Sequence, residues 1–280
     1  METAYPVQDP TSPPPPRPTP STKPRCALAV MIKAPRAGTV KTRLVPPLTH
    51  AEAAALSICF LRDTAATIGS VALADHAVEG VAVYTPVGAE RAFDGLLYEG
   101  FSLVAQRGES FGDRLFHATE DLLALGYESL CLIDSDSPTL PRQLLTGAVS
   151  ALARAGDRVV LGPSDDGGYY LIGLKVAHRR LFEQITWSTD RVFQETVERA
   201  GEIGLEVSRL PSWYDVDDAA TLSRLCEELF PEGRSDEHVS HEGLKGYEAA
   251  YTRRFLARLI ETEGRERIWP GADSPAGAAI

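Results

Sequence analysis

Two short stretches limit what this chain can fold into. Cys26–Ile32 (CALAVMI) and Ser129–Ile133 (SLCLI) are apolar at almost every position, with none of the alternation of a half-solvated strand. Strands of this kind are buried on both faces, so helices must cover both sides of the sheet that holds them. The intervening sequence supplies such helices. Thr49-His-Ala-Glu52 has the spacing of a capping box, and Ala53, Leu56 and Phe60 follow on one helical face. Val78–Tyr84 and Phe101–Ala105 are predicted strands, and Phe111–Leu125 is a predicted helix. After SLCLI come a helix over 141–155, strands at Arg158–Leu161 and Tyr169–Leu174, a helix over 189–204, a strand at 206–210 and a helix at Ala219–Leu229. The alternation predicts a three-layer α/β/α domain with a mostly parallel central sheet, spanning 26–230.

The flanks read differently. Residues 1–25 hold nine prolines, including Pro13–Pro16, and predict an extended tail without packed elements. Residues 231–280 predict a polar linker, one more helix over 241–262 with Leu244, Tyr247, Tyr251 and Phe255 on a stripe, and a loose end. That helix either packs on the domain or serves a contact between copies in a homo-oligomer. The formal net charge of −11 argues against long nucleic acid as a partner, since tracking a phosphate backbone needs a clustered basic surface. Cys26, Cys59, Cys131 and Cys226 are widely spaced in apolar runs and read as reduced core thiols of a cytoplasmic protein. No stretch reads as a membrane span or a secretion signal.

In a parallel α/β sheet, ligands bind beyond the carboxyl ends of the strands, so the polar residues following each strand are the candidates. After the first strand, Lys33–Arg43 (KAPRAGTVKTR) carries four cations, Lys33, Arg36, Lys41 and Arg43, with Gly38 allowing a close backbone turn. Lys and Arg suit phosphate oxygens, although a solvated basic loop would look the same. After SLCLI come Asp134, Ser135, Asp136, Ser137 and Pro138. Carboxylates so placed want a cation, and Mg²⁺ or Mn²⁺ bound together with substrate phosphate fits them; a helix N-cap from Ser137 or Asp136 is the other reading. After the last strand come Asp215, Asp217 and Asp218, with Asp215 and Asp217 on one side of an extended segment and Asp217 or Asp218 as a helix cap. Asp166-Gly167-Gly168 is either a ligand-facing turn or an ordinary hairpin turn. The six histidines fall away from strand ends and suggest no triad.

In order, five patterns resemble the bacterial transferases of the nucleotide-diphospho-sugar transferase superfamily, with the glycosyltransferase A fold. They are Lys33–Leu44, Ser135–Pro138, Asp166–Leu174, Trp187–Thr189 and Asp215–Asp217. The early basic loop and the closing Asp-Val-Asp are more distantly similar to those of 2-phospholactate guanylyltransferases. That resemblance implies that Lys41 and Arg43 hold a triphosphate, that Asp136, Asp215 and Asp217 carry the metal, and that Asp166, Gly167, Gly168 and Ser188 line the acceptor side. Asp134 stands where relatives commonly have Gly, so it is an extra ligand or a structural substitution.

Lys41, Arg43 and Asp136 are thus the candidate catalytic residues. The leading expectation is transfer of a nucleotidyl group from a nucleoside triphosphate to a small phosphorylated or hydroxyl acceptor, with release of pyrophosphate. Glycosyl transfer from a nucleotide sugar is the alternative, for which Asp165 or Asp166 would have to supply a base. A non-catalytic nucleotide-binding protein is the third.

Overall fold

The computed structural model describes residues 25–231 and 243–269. The proline-rich tail, most of the predicted linker and the C-terminal end lie outside the described residues. Seven strands form one sheet: β1 (Cys26–Lys33), β2 (Val78–Thr85), β3 (Ser102–Ala105), β4 (Ser129–Ile133), β5 (Arg158–Pro163), β6 (Tyr169–Leu174) and β7 (Glu206–Arg209). Their order is β3-β2-β1-β4-β6-β5-β7, and β6 alone runs antiparallel to its neighbours. The two fully apolar runs, β1 and β4, lie side by side near the centre, as their burial on both faces requires.

Each face of the sheet has its own core. Leu28, Val30 and Ile32 of β1 point into one, with α1 (His50–Ala74), α3 (Arg142–Ala153), α5 (Ala219–Leu229) and α6 (Ala250–Glu263). Ala27 and Ala29 point into the other, with α2 (Phe111–Ala124) and α4 (Val192–Glu202). The three-layer architecture is the one the strand–helix alternation predicts. Helix starts follow their caps: Thr49 accepts from Glu52 N at 3.2 Å while the Glu52 carboxylate accepts from Thr49 N at 2.7 Å. Asp218, not Asp217, caps α5, reciprocally with Thr221.

Three expectations need correction. Helix α3 begins at Arg142 behind Pro141, so neither Asp136 nor Ser137 is its N-cap; residues 134–140 form a separate turn. Helix α1 is, by length and composition, apolar enough to cross a bilayer, which the sequence reading had denied of every stretch. Its Leu56, Phe60, Leu61 and Ile68 are buried in the sheet-facing core instead. The C-terminal helix starts at Ala250, so Leu244 and Tyr247 are not on it. Gly243 at φ 79° and Ala249 at φ 43° interrupt the helical path.

Helix α6 has no cap of its own; a residue of α1 supplies one. Asp63, 1% exposed, accepts from Tyr251 N at 3.1 Å and Thr252 N at 2.8 Å, the free N–H groups of the first turn. Burial pushes the Asp63 carboxyl above its ordinary value, although the Thr252 and Tyr251 hydrogen bonds pull it back. A raised folded-state pKa gives stability that is complete below the unfolded value and is lost as pH rises through the folded one. Asp63→Ala should therefore cost about 2–3 kcal/mol in urea unfolding by orphaning both N–H groups. Asp63→Asn should cost less and should flatten the fall in stability between acid and neutral pH. Unchanged stability in Asp63→Ala would show that α6 docks without this cap.

Candidate functional site

Because six strands run the same way, the segments after β1, β2, β3, β4 and β5 all emerge at one rim, and β6 begins there. The turn Ser164–Gly168 joins β5 to β6 as a hairpin, which settles the structural side of the Asp-Gly-Gly reading. Asp166 accepts from Gly168 N at 2.8 Å and from the Ser164 hydroxyl, closing the turn. The segment after β7 is stitched to it: Trp213 N donates to Pro163 O at 3.1 Å and Asp165 N to Trp213 O at 3.0 Å. Val216 N then donates to Asp136 O at 2.9 Å, which brings the second and third carboxylate segments together.

Lys41 ties the basic loop to both. Its Nζ lies 2.8 Å from Asp136 Oδ1 and 2.9 Å from Asp217 Oδ1, and donates to Val216 O at 2.7 Å. The side chain is 5% exposed and passes over the Phe60 ring. Its backbone is held in the left-handed region at φ 48°, which a side-chain-bearing residue adopts at some cost. Burial disfavours the charged amine, but the charges and hydrogen bonds of Asp136 and Asp217 outweigh this and raise its pKa. Asp217 is correspondingly lowered: burial opposes ionisation, and Lys41 and Arg43 more than compensate. The Arg43 guanidinium holds the other oxygen of Asp217.

The remaining carboxylates divide. Asp134 closes its own turn: its oxygens accept from Asp136 N at 3.2 Å and Ser137 Oγ at 3.1 Å. Burial, then the charges of Asp136 and Asp215, push its carboxyl well above the usual range. Asp215 has no cationic partner among the described residues, and burial followed by the charges of Asp166 and Asp217 pushes it to about 6. No three His, Cys, Asp or Glu side chains among the described residues are gathered as a ready-made metal site.

A cavity of about 380 Å³ opens beside this cluster, of a size that holds a small ligand. Lys33, Lys41, Arg43, Asp136 and Asp217 line it. Arg36 and Gly38 of the same loop, Asp215, the Asp166–Gly168 turn and Ser188 do not. Lys33 Nζ donates to Thr39 O at 3.0 Å and Gly38 turns at φ 75°, so both shape the loop. Trp187, beside Ser188, stacks edge-on against Phe111 at 5.0 Å.

Among the lining residues missed in the sequence are Gln106, Phe111 and Arg114. Gln106 follows β3 directly, so the strand-end rule would have found it. Its amide nitrogen donates to Val83 O at 2.8 Å and Ile32 O at 3.3 Å. Arg114 gives no local signal, since it sits within a helix and reaches the cavity through the fold.

A family described as "Uncharacterized protein conserved in bacteria (DUF2064)" matches residues 67–189. No curated protein matches the chain. A presumed nucleotide-diphospho-sugar transferase from Desulfovibrio desulfuricans G20 has a crystal structure that is 28% identical with a TM-score of 0.69, covering 86% of this chain and 97% of that one. A cytidylyltransferase from Leptospira borgpetersenii serovar Hardjo-bovis is 10% identical, TM-score 0.47, covering 90% of this chain and 100% of that one. CMP:2-keto-3-deoxy-manno-octonic acid synthetase complexed with CTP is 13% identical, TM-score 0.41, covering 72% and 96%. The Desulfovibrio structure bears out the nucleotide-diphospho-sugar transferase resemblance and the fold that it implies.

The hairpin turn offers a direct check. Gly167 lies at φ 90°, and a Cβ there would stand 2.2 Å from Asp190 O. Its carbonyl also accepts from Phe193 N at 2.9 Å. Gly167→Ala should cost about 3 kcal/mol in urea unfolding, from positive φ and a backbone clash together. Gly168→Ala, which meets only side-chain oxygens at 3.1 and 3.2 Å, should cost clearly less. Equal losses would place the turn differently.

Proposed function

We propose that this chain is a transferase that binds a nucleoside triphosphate in the cavity beside Lys41 and passes its nucleotidyl group to a small acceptor. The observation that carries this reading is the concentration of Lys33, Arg43 and Arg114 around one cavity in a protein of net charge −11. Cations so concentrated within an acidic chain are suited to a polyanionic ligand. The likeness to the Desulfovibrio nucleotide-diphospho-sugar transferase supports the class of reaction.

The chemistry asks little of the protein in covalent terms. An acceptor oxygen attacks the α-phosphorus, the bond to the bridging oxygen breaks, and pyrophosphate leaves with that electron pair. Lys33, Arg43 and Arg114 offset charge along the phosphates, and Arg36 at the loop's edge adds to the field. Asp166, Gly167, Gly168 and Ser188 do not line the cavity, and the family resemblance assigns them to the acceptor.

The donor chemistry fits a hard divalent ion, Mg²⁺ or Mn²⁺, bound jointly with phosphate. Asp215 has no cationic partner among the described residues, and the ion pair of Asp136 with Lys41 is made through its Oδ1. One or two carboxylates plus substrate phosphates are the usual Mg²⁺ site. Such an ion would supply further neutralisation of the phosphate oxygens. Asp217 joins as a third ligand only if Lys41 and Arg43 release it.

Glycosyl transfer is less well supplied. The two carboxylates that could act as its base are engaged: Asp165 accepts from Arg224 at 2.7 Å and Asp166 closes its own turn. A phosphorylated acceptor needs no base.

A thermal-shift panel of the four common nucleoside triphosphates and a set of nucleotide sugars, each with and without Mg²⁺ or Mn²⁺, tests the proposal. A triphosphate at 100 times its Kd should add about 2.7 kcal/mol to stability, with the shift dependent on metal. Arg43→Ala should weaken that binding about tenfold or more, as expected for a lost charge-assisted hydrogen bond. Metal-dependent shifts with nucleotide sugars alone would turn the assignment to glycosyl transfer, and no shift with any ligand would end both.

A further inference from the structure

A lysine ammonium has three N–H groups. Lys41 Nζ is closed in by three oxygens: it donates to Val216 O at 2.7 Å and Asp217 Oδ1 at 2.9 Å and forms an ion pair with Asp136 Oδ1 at 2.8 Å. Nothing remains to donate to a phosphate unless an aspartate is given up. The place between Asp136 and Asp217 is therefore filled by a covalently tethered cation, in a side chain 5% exposed. The outer oxygen of Asp217 is held by Arg43. Asp215 and Oδ2 of Asp136 are the carboxylate oxygens left over in the cluster.

We propose that Lys41 is the resident cation of the Asp136–Asp217 pair, so that a divalent ion enters only as its complex with a polyphosphate and does not bind the protein alone. This rests on the nucleotidyl-transfer reading for its ligand class. The physical reason is competition: a divalent ion placed between Asp136 and Asp217 would have to expel a buried ammonium, leaving that charge desolvated and unpaired. An ion that arrives on polyphosphate oxygens takes most of its ligands from them and needs few from the protein, which leaves Lys41 where it is. Lys41 is then a positioning residue. It fixes the two aspartates and the left-handed turn of the basic loop, and phosphate contact falls to Lys33, Arg43 and Arg114.

Water-proton relaxation with Mn²⁺ reads this directly, because the ion enhances relaxation when it rides on a slowly tumbling protein. The full chain and its Lys41→Met and Lys41→Gln variants are each titrated with Mn²⁺ alone and with Mn²⁺ plus inorganic tripolyphosphate, folding being checked by circular dichroism. The wild type should show enhancement only with tripolyphosphate. Either variant should bind Mn²⁺ alone about tenfold or more tighter than the wild type, since removing the tethered cation frees one oxygen on each of two half-exposed carboxylates. Variants that bind Mn²⁺ alone no better than the wild type overturn the proposal. So does a wild type that binds Mn²⁺ alone as tightly as with tripolyphosphate, a result that decides the matter even if both variants fail to fold. Loss of every tripolyphosphate-dependent signal would instead count against the nucleotidyl-transfer reading, while the comparison with Mn²⁺ alone still judges Lys41.

Discussion

A single buried ammonium holds three distant parts of the chain to one point. Lys41 lies in the loop after β1, Asp136 in the turn after β4, and Asp217 at the start of α5. The ammonium, 5% exposed, would be costly to bury alone, so the loop after β1 keeps its place only with the two aspartate segments in theirs. The sheet brings the segments to one rim, and the ion pairs convert that proximity into a defined site.

The site's supports are more conventional. Trp213, buried at 1% exposure, anchors the Asp215–Asp217 segment against β5, with its backbone bonded to Pro163 and Asp165. Behind it, the Tyr214 hydroxyl donates to Glu228 of α5, and Thr139 Oγ1 donates to the same carboxylate at 3.2 Å. Arg224 covers the Tyr214 ring at 3.9 Å and reaches Asp165, joining α5 to the hairpin turn. None of these residues lines the cavity, yet all fix the carboxylates that do.

Much of this was legible in the sequence, for physical reasons. The apolar runs at β1 and β4 could only be central strands, and the Thr49–Glu52 pair could hardly be anything but a helix start. The strand-end rule found Lys41, Asp136 and Asp217, which the structure unites. Pairing was not legible: composition cannot say whether a cation after β1 faces phosphate or a carboxylate 176 residues away. Nor could local pattern find Asp63, whose capping partner lies on another helix, or Arg114, which meets the cavity only through tertiary packing. The C-terminal stripe misled because Leu244 and Tyr247 fall at helical spacing while Gly243 and Ala249 turn the backbone out of the helix.

The account stands or falls on whether Lys41 and Asp217 depend on each other. Urea unfolding of the wild type, Lys41→Met, Asp217→Asn and the double variant measures that coupling directly. Each single change should cost about 1–3 kcal/mol, since it removes one charged partner from a partly buried ion-pair cluster. The double variant should be less destabilised than the sum by more than about 1 kcal/mol, the signature of residues in contact. Losses that simply add, to within about 0.5 kcal/mol, would mean that the two side chains do not meet, and the site would have no centre.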